Sequence, residues 1–373
     1  MNQKGFPTII IAIIIIIAVV GFFIYQRRAS SPANPTTINQ GEQNAVSQQS
    51  QLKTEVSPSS TASVPPKPTA TQIPTPTPSS PSPFTDKFLM AFLACNNSAA
   101  NCGDPRNHQT FLAQSNDGAT WTLVSGVQPL SGSVPDVIRR GNTLYIFSPG
   151  TVARYHLNTG KIDLPQPVAI TAGNDSNELF VDPSVTFDAN GNLVLFYLLG
   201  QIGSDPAHCP PGESSCTKVI RSATEVSGSD GTRFIVDPGD RADISINGQE
   251  TASDPAIIKD PNGYSLLISR GQSVEVMTSS NLRGTFKDIP TLSGGMLVSN
   301  LGGVPDGYYD SASGQYWIYI TSGMNNSVIR RAVSNNITSP LAENQFSTVL
   351  SGSNIGLGSS FMVASPGITS NQP

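Results

Sequence analysis

From Phe84 onward, apolar and polar residues alternate in short runs, and turn residues interrupt them roughly every ten positions. Alternation of period two with this punctuation predicts β-strands, and no long stretch shows a helical i, i+3, i+4, i+7 face. The pattern also repeats. Four segments open on a Pro beside an Asp: Val134-Pro135-Asp136, Val181-Asp182-Pro183, Ser253-Asp254-Pro255 and Val304-Pro305-Asp306. Each passes through a turn (RRGN, DANGN, DPNG, DSASGQ) into an apolar strand that ends on Gly150, Gly200, Gly271 or Gly323. A third strand follows (VARYHL, VIRSAT, VEVMTSS, VIRRAVS). A fourth element then carries an aromatic, as in TRFIV, TFKDI and NQFSTV.

Residues 84–126 enter the same scheme late: FLMAFLAC matches a second strand, TFLAQSND a third and TWTLV a fourth. Five such four-strand units, roughly 40 to 70 residues each, predict an all-β, five-bladed β-propeller over 84–373. The first unit has no innermost strand, and the C-terminal run GSSFMVAS is unassigned. That run is predicted to supply the missing strand and close the ring, which removes an exposed sheet edge. A β-sandwich or two smaller β domains is the competing arrangement.

The N-terminal part follows different rules. Residues 6–25 contain no charge and nine Ile, enough at about 1.5 Å per residue to span a bilayer's hydrocarbon core of roughly 30 Å. Phe22, Phe23 and Tyr25 stand where interfacial aromatics belong, and Arg27 and Arg28 end the run. The bulky end of the run, with no small-residue cleavage site, predicts an uncleaved transmembrane anchor over 1–28 rather than a signal peptide. Residues 29–83 hold eleven Pro, four charges and no aromatic, so they are expected to be a disordered, semi-rigid spacer. The charges flanking the span nearly balance, but a long stalk suits a domain held away from a membrane. A single-pass cell-membrane protein with an extracytoplasmic C-terminal domain is therefore expected.

Composition narrows the chemistry. With 21 Lys+Arg against 26 Asp+Glu, the net charge of −5 gives no electrostatic case for nucleic acid. The four cysteines form two pairs of equal spacing, Cys95/Cys102 and Cys209/Cys216. Bridging each short loop is geometrically easy and fits an oxidising compartment. His108 and His208 lie near these pairs, but no metal site is expected. No cofactor is expected either, and a channel-bound Ca²⁺ has no support in the sequence.

Ser115-Asn116-Asp117-Gly118-Ala119-Thr120-Trp121 resembles a shortened Asp-box, the hairpin turn of sialidases and other propellers. Ser115, Asp117, Gly118 and Trp121 are expected to act structurally: the carboxylate takes backbone N–H bonds, Gly turns left-handed and Trp packs between sheets.

The Pro-paired aspartates carry the functional argument. An Asp at the start of the innermost strand of four blades would converge on one axial pocket. Crowded carboxyls raise one another's pKa, so that one can serve as acid and another as base. The alternative for each Asp is a turn cap. Asp182-Pro183-Ser184-Val185 followed by FDANGNLVLFY, and Asp254-Pro255-Ala256-Ile257 followed by KDPNGYSLLIS, resemble the blade openings of family-43 glycoside hydrolases. These belong with the arabinanase, levansucrase and invertase propellers.

The resemblance covers about residues 84–365. It implies inverting hydrolysis of a furanoside or related polysaccharide linkage by an Asp base, a tuning Asp and a Glu acid. Asp136 is then the base, Asp182 the tuning carboxylate and Glu250 or Asp254 the acid, with Asp306 contributing to ligand binding. The Pro-Asp order at Asp136 and the Asp at 254 depart from the family pattern. Two rival readings use the same mouth: a non-catalytic propeller that binds glycan or protein, and a sialidase-like enzyme. The last needs an arginine triad, and adjacent Arg139 and Arg140 supply at most one member.

Overall fold

The computed structural model describes residues 82–173, 176–200, 205–323 and 326–371. The expected anchor at 6–25 and nearly all of the expected spacer at 29–83 lie outside them. No helix among the described residues is long and apolar enough to cross a membrane.

The described strands form five sheets, antiparallel except for one added strand in the third, and these are the five blades of a propeller. The second blade runs outward through Asp136–Arg140, Thr143–Ser148, Thr151–His156 and Lys161–Pro167. The third has Phe180–Phe187 innermost, the fourth Ser253–Asp260 and the fifth Gly303–Asp310. The first blade takes its innermost strand from the C-terminus: Phe361–Ser370 pairs with Phe88–Asn96, with Met90 opposite Ile368 and Leu93 opposite Ala364. The ring closes as the unassigned apolar run predicted.

Each blade's second strand is apolar on both faces because both faces are covered. Side chains alternate along a strand. In Leu193–Leu199, Val194, Phe196 and Leu198 therefore pack toward the fourth blade, while Leu193, Leu195 and Tyr197 pack toward the second. In Gln315–Ser322, Trp317 and Tyr319 face the first blade and Ile318 and Ile320 the fourth. The buried apolar side chains accordingly form five clusters, one at each blade interface.

One departure from the repeat lies in the third blade. Ala169–Ala172 adds to its outer edge, parallel to Arg233–Val236, and Ser176–Asn177 follows. These short strands have no apolar alternation to announce them. Ile170 alone anchors the addition, fully buried between the second and third blades.

Hairpin turns at the far end of the inner strands are built on aspartates. Asp188 accepts from the Asn190 and Asn192 amides, Asp260 from Asn262 and Asp310 from Ala312. The Ser115–Trp121 turn works the same way. Asp117 Oδ1 accepts from the Ala119 and Thr120 amides at 2.8 Å each, and the Trp121 indole donates to the Gly118 carbonyl at 3.1 Å. Gly118 has φ +65°, and a Cβ there would meet the Trp317 ring at 2.4 Å, so only glycine fits. Tyr319 of the fifth blade also donates to the Gly118 carbonyl, which ties this turn to the neighbouring blade.

Both cysteine pairs are bridged within their loops, Cys95–Cys102 and Cys209–Cys216.

Candidate functional site: an axial ring of prolines and aspartates

The innermost strands of all five blades share one local device. Each contains, or in the second blade directly follows, a residue-Pro pair, and the residue before Pro has a left-handed backbone: Val134 (φ +46°), Asp182 (+51°), Asp254 (+47°), Val304 (+45°) and Ser365 (+50°). Such a conformation is uncommon for a residue with a side chain and costs about 1–3 kcal/mol each. It comes with a register shift in the inner strand, as between Val181 and Ser184, Ser253 and Ala256, and Gly303 and Asp306. The kink turns each proline toward the axis.

Asp136, Asp182, Asp254 and Asp306 all line the resulting cavity, together with the five prolines, so the radial convergence expected from sequence is present. The fifth member, Ser365-Pro366, lies in the closing strand. The signal for it was the Ser-Pro in the C-terminal run, which carries no Asp.

The two kinds of Asp do different work. Asp136 and Asp306 follow their prolines and are buried. Asp136 Oδ2 accepts the Val185 amide of the third blade at 2.6 Å while Oδ1 accepts its neighbour Val137 at 2.7 Å. Asp306 Oδ2 accepts the Ile368 amide of the first blade at 2.5 Å. Ser184, at the equivalent place in the third blade, accepts the Ile257 amide of the fourth at 3.1 Å. In the second, third and fifth blades the residue after Pro is thus an inter-blade staple, not the turn cap weighed from sequence, while the fourth blade has Ala256 there. Where the first blade has Gly367 instead, a Cβ would lie 2.6 Å from Asp136 Oδ1. The strands there pack too closely for any side chain.

Asp182 and Asp254 precede their prolines and stay partly exposed. The Asp254 amide donates to Asp182 Oδ2 at 3.2 Å, and Ser253 Oγ donates to Asp254 Oδ2 at 2.6 Å.

Burial sets the electrostatics. It pushes Asp136 up to about 7 against the pull of the Val185 and Val137 amides and the Ser184 hydroxyl. It raises Asp254 to about 6 and Asp182 well above the usual range, the latter also through repulsion by Asp254. Asp306 is raised by burial and then by Asp136. The charge of Asp136 thus reaches Asp306, and that of Asp254 reaches Asp182. Paired carboxyls of this kind can exchange a proton near neutral pH. The space between them is about 20 Å³, room for roughly one water and not for a sugar ring. Among the described residues no group of three or more His, Cys, Asp or Glu side chains could hold a metal ion.

Glu250, expected as an acid beside this ring, is not brought to it. Its side chain closes a turn by accepting the Asn247 amide at 2.9 Å, stands 3.6 Å from Arg270 and is 51% exposed. It lines a separate cleft with Arg270 and Met296. The turn that precedes the inner strand is tight enough to fold Glu250 back on itself rather than inward. Arg139 and Arg140 also lie elsewhere, held by Asn371 and by Glu225.

The sequence matches no family model and no curated protein. Several solved structures are similar to parts of this chain. The GH43_1 enzyme from Xanthomonas citri complexed with xylotriose is 16% identical, with 66% of this chain and 84% of that one covered and a TM-score of 0.42. An exo-1,5-alpha-L-arabinanase from a bovine ruminal metagenomic library is 14% identical over 66% of this chain and 89% of that one, at a TM-score of 0.40. For the endo-1,5-alpha-L-arabinanase from Thermotoga petrophila RKU-1 in complex with TRIS the identity is 16% and the TM-score 0.39. There the match covers 59% of this chain and 55% of that one.

Proposed function

We propose that this chain is a membrane-tethered, extracytoplasmic propeller that binds carbohydrate, a polysaccharide or surface glycan, without hydrolysing it at the axial acids. One observation carries the reading: Asp136 and Asp306 hold backbone amides of the next blade, and the ring they share with Asp182 and Asp254 leaves about 20 Å³. Inverting hydrolysis needs two carboxyls about 6.5 to 9.5 Å apart with a sugar and a water between them. A water-sized gap cannot hold that substrate. Carbohydrate as the partner follows from the blade openings at Asp182-Pro183 and Asp254-Pro255. The tether rests on the uncharged residues 6–25 and the Pro-rich stretch after them. Placement outside the cytoplasm is supported by the two disulfides.

A second reading keeps hydrolysis and rests on Asp182 and Asp254, which are partly exposed and whose carboxyls are both held above the usual range, by burial first. The full chain, offered furanosides, arabinans, xylans and microbial surface polysaccharides, separates the two. Binding by affinity electrophoresis with no new reducing ends supports the binding propeller. Turnover that disappears in Asp182→Asn or Asp254→Asn, with folding intact, would replace it by the hydrolase.

A further inference from the structure

At the end of the axis away from the proline ring, a cleft of about 420 Å³ opens between the fourth and fifth blades. That volume is within the usual range for small-molecule sites, about 300–1,000 Å³. Its position is marked by a break in the five-fold repeat. The second-strand residue that pairs with the fourth residue after each blade's axial Pro is Phe88, Leu144 and Leu193 in the first three blades. All three are buried between blades. In the fourth and fifth blades the same position is Tyr264 and Tyr316, and both line the cleft.

Burial and the charge of nearby Asp260, across the blade boundary, hold the Tyr316 phenol neutral. Asp260 is fixed in turn by the Asn262 amide at 2.7 Å and the Ser265 hydroxyl at 2.9 Å. The floor is therefore preorganised. Around it stand groups with capacity to spare. Among the described residues the Asn262 side-chain amide, the Tyr264 hydroxyl and the Lys287 ammonium have no hydrogen-bond or ion-pair partner in the protein. Asn335 accepts from Gln315 through its oxygen and keeps its NH₂ group available. One acid, Asp260, balances one base, Lys287, so the wall favours neither anion nor cation.

Aromatic rings, amide donors and acceptors, and no net charge fit a neutral polyhydroxylated ring. We infer that this cleft, not the axial ring, is the saccharide-binding site, taking one or two neutral sugar units of a glycan. The inference rests on the carbohydrate-binding reading and gives that reading a place on the surface.

Isothermal titration of the full chain with neutral pentose and hexose mono- to trisaccharides tests it. At least one saccharide is expected to bind saturably. Tyr264→Leu, which installs the residue type of the second and third blades, should raise its Kd tenfold or more while the melting temperature holds. Asn262→Ala should raise Kd about threefold. If Tyr264→Leu titrates like the parent chain while the parent binds, the cleft is excluded and the carbohydrate reading stands. If the parent binds no saccharide of the panel, both fall.

Discussion

The axial ring and the cleft between the fourth and fifth blades invert the usual expectation about where chemistry sits. The ring gathers one carboxylate from each of four blades and one proline from each of the five, yet offers about 20 Å³. The cleft is built from residues of only two blades and offers about 420 Å³. Convergence of charge and presence of a site are therefore separate properties. At the axis, inner strands approach closely enough that amides of one blade need acceptors from the next, and aspartates meet that need. A buried amide left without a partner costs about 1–3 kcal/mol, so a short acid there is worth keeping for stability alone. Farther from the axis the blades splay, and residues such as Asn262 and Lys287 line a gap instead of meeting a neighbouring strand.

The contrast can be broken most severely by removing the closing strand. Deleting residues 361–373 exposes Phe88–Asn96 as an edge and uncovers Met90, Phe92 and Ala94. Loss of cooperative unfolding and aggregation are expected by calorimetry and light scattering, and a truncated chain that melts like the parent would refute ring closure.

Next comes the staple itself. Asp136→Ala strands the Val185 amide and should destabilise by about 1–3 kcal/mol, seen as a fall in melting temperature and faster exchange of that amide. Ser184→Ala, which removes a longer, neutral bond to Ile257, should cost about 1 kcal/mol. Equal small losses at both positions would mean the acid is not a staple.

The smallest effect is on pH dependence. A carboxyl whose pKa is higher folded than unfolded binds its proton more tightly in the native state. Its stabilising contribution is greatest below about pH 4 and is lost as pH rises through about 7 for Asp136 and about 6 for Asp254. Asp117, Asp188 and Asp230 have lowered values and weaken the fold only at more acid pH. The melting temperature should therefore be higher at pH 5 than at pH 8 by several degrees, roughly. A flat or opposite profile would sink the account of buried, proton-holding acids.

Much of this was written locally. The runs FLMAFLAC, LVLFYLLG and YWIYITSG are apolar at consecutive positions, and only a strand covered on both faces uses such a pattern. The Asp-Pro and Pro-Asp pairs fixed which residues would meet at the axis, and equal spacing suggested both disulfides. Glu250 was misplaced because spacing to Asp254 says nothing about a turn that closes on its own side chain. The added strand Ala169–Ala172 went unseen because its partner, Arg233–Val236, is distant in sequence and parallel to it.

By itself the sequence determined the strands, their turns, the repeat and the coming together of four aspartates, because each follows from periodicity and backbone stereochemistry within a few residues. Only the tertiary structure decided what those aspartates do and where open space remains. Both depend on the distance between blades, which arises when five sheets close on one another and is written in no single segment.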